Sequence, residues 1–297
     1  MNKKRRFRDR LFALFKCGFV WQLHHKNKDT IIVIMIDFVK CWVINMDEID
    51  LKRIKKNPLL EFTTYYNEKT TELARCSTAI YRGLKFKVYD STNAHPLGRL
   101  TFEGSLHKYW NLGKHNCNDF SVANVQKVLT ELWHSFGVHP NYCIMKQLEL
   151  GINFDPEIKA KAVIDNCFMF STKRFGWQWT RDEGNYIQSV FDRKTFKIYD
   201  KALQYKRKGL TMSKEIMRIE VKYTKMQELN NKSIYSLADL INHGLADLVE
   251  RCLLTEWSKV LFYDNHLLME HKNQKDYANP KYWNELAQTS TRKYKYH

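Results

Sequence analysis

Three short segments share a pattern that narrows what this chain can fold into. In Gln147 to Phe154, Leu148, Leu150, Ile152 and Phe154 alternate with Glu149, Gly151 and Asn153. In Met217 to Tyr223, Met217, Ile219, Val221 and Tyr223 alternate with Arg218, Glu220 and Lys222. In Phe196 to Lys201, Phe196 and Ile198 fall on one face and Lys197 and Tyr199 on the other. A period of two is the mark of a strand with one face on a core. Each of these strands therefore carries functional groups on the face that the core does not use.

The flanking sequence supplies the rest of an antiparallel α+β fold. Ile31 to Val43 is rich in β-branched residues and reads as a core strand. Asp47 to Lys56 reads as a helix ending before Pro58, and 59–66 and 69–80 as two strands about an Asn-Glu-Lys turn. Leu84 to Asp90 and Gly98 to Leu106 alternate around turn-forming residues and predict a hairpin. Ser121 is a good N-cap for an amphipathic helix on Val122, Val125, Val128, Leu129, Leu132, Trp133 and Phe136, closed by Gly137. Tyr142 to Phe154, Ala162 to Phe170, Tyr186 to Phe191, Thr195 to Tyr199 and Ile216 to Tyr223 read as strands. From Ser236 the pattern turns helical: Ser236 and Asp239 resemble a capping box, Leu245 to Phe262 is one long helix, and Asn279-Pro280 opens another. The expected architecture is a central antiparallel sheet flanked by helices, with a helical C-terminal segment. It divides into a basic arm (1–34), a main domain (35–230) and the helical segment (231–297).

Charge decides what such a face would meet. Lys and Arg outnumber Asp and Glu by 49 to 32, a formal charge of +17. A field of that sign favours polyanions, with nucleic acid as the leading partner and an acidic membrane surface second. The seven cysteines are scattered without a CxxC pair, which argues against a disulfide framework or zinc ribbon and fits a reducing cytoplasm. The apolar run after the basic N-terminus is interrupted by Lys16, and the run from Ile31 to Ile44 contains Asp37 and Lys40. No export signal or transmembrane span is expected.

If the three strands are neighbours, Glu149, Glu220 and Tyr199 converge. Two carboxylates in one place repel unless a cation lies between them, and hard oxygen donors favour Mg²⁺ or Mn²⁺. Such an ion can polarise a phosphate attacked by tyrosine. Lys201 or Lys197 could lower the phenol's pKa or neutralise a departing oxygen. Asp200 is a possible third ligand if the strand ends at Tyr199. A solvated tyrosine, and carboxylates paired with neighbouring cations, remain the alternative reading of each residue.

In this order the motifs resemble a known family. Met35-Ile36-Asp37, Leu84 to Asp90, Ser105 to Asn111 and Gly113-Lys114-His115-Asn116 are similar to the N-terminal half of filamentous-phage replication initiators of the gene II/X type. The Tyr-Asp-Lys and Arg-Ile-Glu strands also resemble rolling-circle plasmid initiators of the staphylococcal type. The likeness covers roughly 35–225. It implies a rolling-circle initiator, a metal-dependent endonuclease that nicks one strand at a phage or plasmid origin and later rejoins it through a 5′-phosphotyrosyl intermediate. Tyr199 would then be the nucleophile, with Tyr205 its rival; Glu149 and Glu220 would hold the metal, supported by Asp200 and Lys201. Lys108, Lys114, His115, Lys197, Arg218 and Lys222 would hold phosphates. Trp110, Trp177 and Trp179 could stack bases, or could equally serve packing. Partners would be double- and single-stranded origin DNA, host helicase and replication proteins, in a bacterial cytoplasm. The chain departs from initiators that hold metal with His-apolar-His, since none of its eleven histidines makes that motif. A mobilisation relaxase with the same chemistry and a non-catalytic origin-binding or repressor protein are the rival functions.

Overall fold

The computed structural model describes residues 33–67, 72–93, 95–118, 120–154, 159–180, 184–210 and 215–262. The first 32 residues of the basic arm, the Glu-Lys of the 67–69 turn and the Asn279-Pro280 helix lie outside the described residues, as do the side chains of Trp177 and Trp179.

The strand β1 (Val33–Val43) is followed by helix α1 (Glu48–Lys55), β2 (Thr63–Asn67) and β3 (Glu72–Tyr81). The hairpin β4 (Leu84–Tyr89) and β5 (Arg99–Gly104) comes next, then α2 (Leu106–Trp110) and α3 (Val122–Phe136). After them come β6 (Cys143–Phe154), α4 (Ala160–Asn166), β7 (Cys167–Phe170), β8 (Lys173–Arg174), β9 (Gly176–Thr180), β10 (Gly184–Val190) and β11 (Lys194–Asp200). The chain continues through α5 (Lys201–Arg207), β12 (Met217–Tyr223), α6 (Gln227–Asn230), α7 (Leu237–Asn242), α8 (Leu245–Trp257) and β13 (Val260–Phe262).

Ten strands form one antiparallel sheet in the order β2-β3-β4-β5-β1-β6-β12-β11-β10-β9, and β13-β7-β8 form a small second sheet. The fold is α+β, with helices packed on the large sheet. Its centre is β1, paired with both β5 and β6. That position suits its sequence: Val39, Cys41 and Val43 are buried on the core side, in line with Phe102 and Leu100 of β5. Among the described residues no helix is long and apolar enough to cross a membrane.

The Ser121 hydroxyl accepts the Asn124 N–H, and Gly137 closes α3 at φ 70°, where a side chain would be strained. Val125, Val128, Leu129, Leu132 and Phe136 are buried, and the Phe136 ring meets Phe86 and Tyr81. Trp133, placed by spacing on that apolar row, is instead 46% exposed and packs on His134 and His139. A second aromatic cluster forms where Phe170 stacks on Phe196, beside Phe175 and Trp257. The capping box at Ser236 is present, with reciprocal bonds to Asp239.

Two element readings need correction. Ala162 to Phe170 is not one strand, because α4 runs to Asn166 before β7 begins. Ala160, Val163, Ile164 and Cys167 are buried at helical spacing, a period hidden by the short apolar run that follows. Likewise the long C-terminal helix stops at Trp257. Val260–Phe262 leaves it as a strand that pairs with β7. Smaller shifts occur at the ends: the strand read from residue 59 starts at Thr63, and β1 begins at Val33, two residues inside the expected arm.

Candidate active site

The strands that carry the polar alternation are adjacent in the order β6-β12-β11. Directly opposed residues are Lys222 with Glu149, Glu220 with Gly151, and Arg218 with Asn153. On the other side of β12, Glu220 faces Lys197 and Arg218 faces Tyr199. Paired residues point to the same face, so Glu149 and Glu220 lie on a diagonal of that face with Tyr199 beside them. Gly151 leaves the room this needs, since a Cβ there would lie 3.1 Å from Glu220 Cγ.

The expectation of a solvated face fails at this end of the sheet. Tyr199 is 7% exposed and Glu220 2%, and Arg218 and Lys201 are also buried. The cover is the segment after α2. A tight turn at Leu112 and Gly113, both at positive φ, reverses the chain. Crossed amide bonds between Asn111 and Asn118 then hold the turn. His107 stacks flat on Phe120 and meets Asn118 Oδ1 through Nε2 at 2.8 Å. Burial holds its imidazole neutral, down to about 4.

This loop delivers Asn116 into the pocket. Its backbone N–H donates to the Tyr205 hydroxyl (2.9 Å), and that hydroxyl donates to Asn116 Oδ1. Asn116 Oδ1 also accepts from Lys201 Nζ (3.0 Å), and Asn116 Nδ2 donates to Asp37 Oδ1 (2.5 Å). Asp37 reaches the pocket because it is the extra residue of a bulge in β1, between Ile36 and Phe38. Ser105 Oγ donates to Asp37 as well. Neither Asp37 nor Asn116 stood out by periodicity: one sits in an apolar strand and the other in a loop. The only signal was their place in the initiator-like motifs and in a segment heavy in Lys, His and Asn.

At the centre is Arg218. Its Nη1 donates to Asp37 Oδ2 (2.9 Å), Glu220 Oε1 (3.2 Å) and the Tyr199 hydroxyl (3.4 Å). Its Nε donates to Asn153 Oδ1 and its Nη2 to the Asn116 carbonyl. The Tyr199 hydroxyl donates to Glu220 Oε1 at 2.5 Å, and Lys201 Nζ lies 3.5 Å from it.

These contacts set the protonation states. Burial raises the Asp37 carboxyl, but Arg218, Lys201 and the Asn116 amide outweigh it and hold it well below the usual range. Burial, then Glu149 and Asp37, push Glu220 up to about 8. Burial and the neighbouring Arg218 bring Lys201 down to about 7. Burial also drives the Tyr199 phenol well above its ordinary value, against the pull of Arg218 and with the help of Glu220 and Asp37. Tyr205 is raised to about 12, chiefly by burial.

The remaining expected residues take varied positions. Lys197 Nζ donates to Glu149 Oε1 (3.2 Å) and lies 4.0 Å from Glu220, so an ammonium already stands between the two carboxylates. Lys222 lies 4.0 Å from Glu149 and 5.0 Å over the Phe38 ring. Lys108, Lys114 and His115 are on the covering loop and its preceding helix, with Lys114 exposed. Asp200 is the N-cap of α5, its Oδ1 accepting the Leu203 N–H at 2.8 Å. Arg218, expected to hold phosphates, is fully buried and spends its guanidinium on protein groups. Trp110 is half-buried, with the Lys127 ammonium 5.9 Å from its ring centroid. Among the described residues no group of three or more His, Cys, Asp and Glu is placed to share a metal ion. The oxygen pair of Glu149 and Glu220 nonetheless suits a hard cation. Burial, then Glu149 and Asp37, raise Glu220 toward its protonated form, and the Lys197 ammonium holds the place between the two carboxylates that such an ion would take.

No family model and no curated protein sequence matches this chain. Among solved structures, the rolling circle replication initiator protein from Geobacillus stearothermophilus is similar over 86% of this chain and 95% of its own, at 12% identity and a TM-score of 0.37. At those values the likeness adds nothing to the reading of the site.

Proposed function

We propose that this chain is a rolling-circle replication initiator that nicks and rejoins one DNA strand at a phage or plasmid origin, with Tyr199 as nucleophile. The observation that supports it best is the company of the Tyr199 hydroxyl: a carboxylate in hydrogen-bond contact, with a guanidinium and an ammonium beside it. That is the set a phosphodiester transfer requires. The Tyr199 oxygen forms a bond to phosphorus as the P–O3′ bond breaks, leaving a 3′-hydroxyl and a 5′-phosphotyrosyl ester. The phenol proton passes to Glu220 Oε1 in the form of the protein in which that carboxyl, raised to about 8, has lost its own proton. Lys201, set by its surroundings to about 7, supplies a proton to the leaving oxygen and takes it back on rejoining. Tyr205 is the weaker nucleophile, because its hydroxyl is tied to Asn116 at both main chain and side chain.

Mg²⁺ or Mn²⁺ would be held by Glu149 and Glu220 in competition with the Lys197 ammonium. When bound, such an ion supplies Lewis-acid polarisation of the phosphate. The closed pocket keeps the phenol neutral and out of reach, so the loop carrying Asn116 has to move aside for DNA to enter.

The test is incubation with supercoiled origin DNA and Mn²⁺ or Mg²⁺. Nicking that is lost in Tyr199→Phe and kept in Tyr205→Phe supports this reading, and the reverse moves the nucleophile to Tyr205. The burial of both hydroxyls favours a second reading, a non-catalytic origin-binding or repressor protein. Sequence-specific binding without nicking on any candidate origin would establish it.

A further inference from the structure

The face that bears Tyr199 continues across β6, β1, β5 and β4, and there it is half-exposed among the described residues. Lys40 and Lys87 on this stretch are both paired with Glu103, at 3.0 and 3.7 Å. A different arrangement surrounds Trp42. The Arg99 guanidinium lies 4.4 Å from the Trp42 ring centroid and 4.7 Å from that of Tyr89. The Lys146 ammonium lies 4.2 Å from the same Trp42 ring. A bulge sets it there: Lys40 pairs with Gln147 and Cys41 with Met145, so Lys146 is the extra residue.

Among the described residues neither Arg99 nor Lys146 is in an ion pair; Arg99 Nη1 lies 3.4 Å from the ring nitrogen His95 Nε2, and Arg99 Nε is buried without a hydrogen-bond partner. Two cations brought to one ring repel each other unless an anion joins them. The aromatic cradle orients the guanidinium, and the anion is left to come from outside the protein.

We propose that the Arg99–Trp42–Lys146 cluster is a docking site for the phosphate backbone of duplex DNA, separate from the tyrosine pocket. Charge complementarity selects this occupant over the chain's own ends, both of which are net basic: residues 1–32 carry nine Lys and Arg against two Asp, and 263–297 six against four Asp and Glu. The Trp42 ring already bears two cations, so the site offers contacts to phosphates in place of base stacking. Trp42 is separated from Tyr199 by three strand spacings, and by eight in-register positions along β6. That is a diagonal of about 30 Å on standard strand geometry. One strand's phosphates recur every ~3.4 Å along a duplex, so about nine base pairs span the two sites. Duplex DNA is stiff over this length and can lie across both. The inference extends the nickase reading and rests on it only for what lies at the far end of the duplex.

The test uses the full chain and a duplex of about 20 base pairs of arbitrary sequence, with affinity measured as a function of NaCl. Each lost phosphate contact flattens the log–log salt slope by ~0.9, so Arg99→Gln/Lys146→Gln is expected to flatten it by about 2. Lys146→Gln alone, whose half-exposed side chain lies off the core, is expected to flatten it by about 1 and carries the test if the double variant does not fold. An unchanged slope in Lys146→Gln overturns the proposal, as does a loss seen only with single-stranded DNA. Covalent adduct formation on a short single strand spanning only the nick is expected to be equal in Lys146→Gln and wild type; an equal loss there refutes the separation of the two sites. If the wild type forms no adduct on any DNA, the nickase reading fails while the salt slope still decides this one.

Discussion

Replacing Arg218 with Met tests whether one buried guanidinium holds the pocket together. The change removes the only cation among the described residues that touches both Asp37 and Glu220, and leaves the Asn116 carbonyl and Asn153 Oδ1 without that donor. Removing one partner of a buried ion pair costs about 3–5 kcal/mol, because the other charge stays buried and uncompensated. Protonation of Glu220 relieves part of that here, since its surroundings already bring it to about 8. Asp37 has no such escape: it keeps the charges of Lys201 and Lys197 but loses the guanidinium that touches it. The expected loss is therefore about 4 kcal/mol, a large part of the 5–15 kcal/mol typical of a domain. In guanidinium chloride at neutral pH, with a slope of about 4 kcal/mol per molar, the midpoint should fall by about 1 M with the slope unchanged. The combined change Arg218→Met, Asp37→Asn and Glu220→Gln removes the stranded charges and should recover most of the loss. A single variant within about 0.25 M of wild type, or a triple variant less stable than the single one, would refute the reasoning.

Other consequences can be checked separately. Glu220 takes up its proton at about 8 when folded, against 4.5 ordinarily, so between those values the folded state holds a proton that the unfolded state releases. Stability should then fall as pH rises through this window in metal-free buffer, and Glu220→Gln should flatten that decline; parallel thermal midpoints from pH ~5 to ~8 would contradict it. Lys201, at about 7 against 10.5, acts in the opposite sense above neutrality, where the unfolded state keeps the proton longer. Gly151→Ala would press a methyl group against Glu220 Cγ. It should reduce nicking at least tenfold while lowering stability by about 1 kcal/mol or less, and an equal loss of both would show that the glycine serves packing alone. Asn116→Ala removes the side-chain bonds to Tyr205, Lys201 and Asp37, leaving the main-chain N–H on the Tyr205 hydroxyl, and should raise the hydrogen-exchange rate of the 111–118 amides far more than that of β6.

Much of this was legible in the residues themselves. The period-two pattern of β6, β11 and β12 told which side of each strand Glu149, Glu220 and Tyr199 occupy, since side chains in a strand have no other choice. It could not tell what covers that side. The cover comes from Ser105 to Phe120, far back in the chain, and its fold depends on a turn at Leu112 and Gly113 and on amide pairs with no periodic trace. Asp37 was hidden for a related reason: a bulge aims it, and bulges have no sequence period. Arg218 was read as a surface cation because alternation shows direction and not depth. The split of α4 from β7 was present as a helical spacing at Ala160, Val163, Ile164 and Cys167, but a short apolar run carries both periods at once.

The central claim is that the Tyr199 oxygen makes the bond to phosphorus. Its most direct test is to trap the protein on labelled origin DNA with Mn²⁺, digest it, and locate the nucleotide by peptide mass spectrometry. The account predicts a 5′-phosphate ester on the peptide containing Tyr199, absent in Tyr199→Phe. An ester on Tyr205, or nicked DNA with no covalently bound peptide, would contradict it.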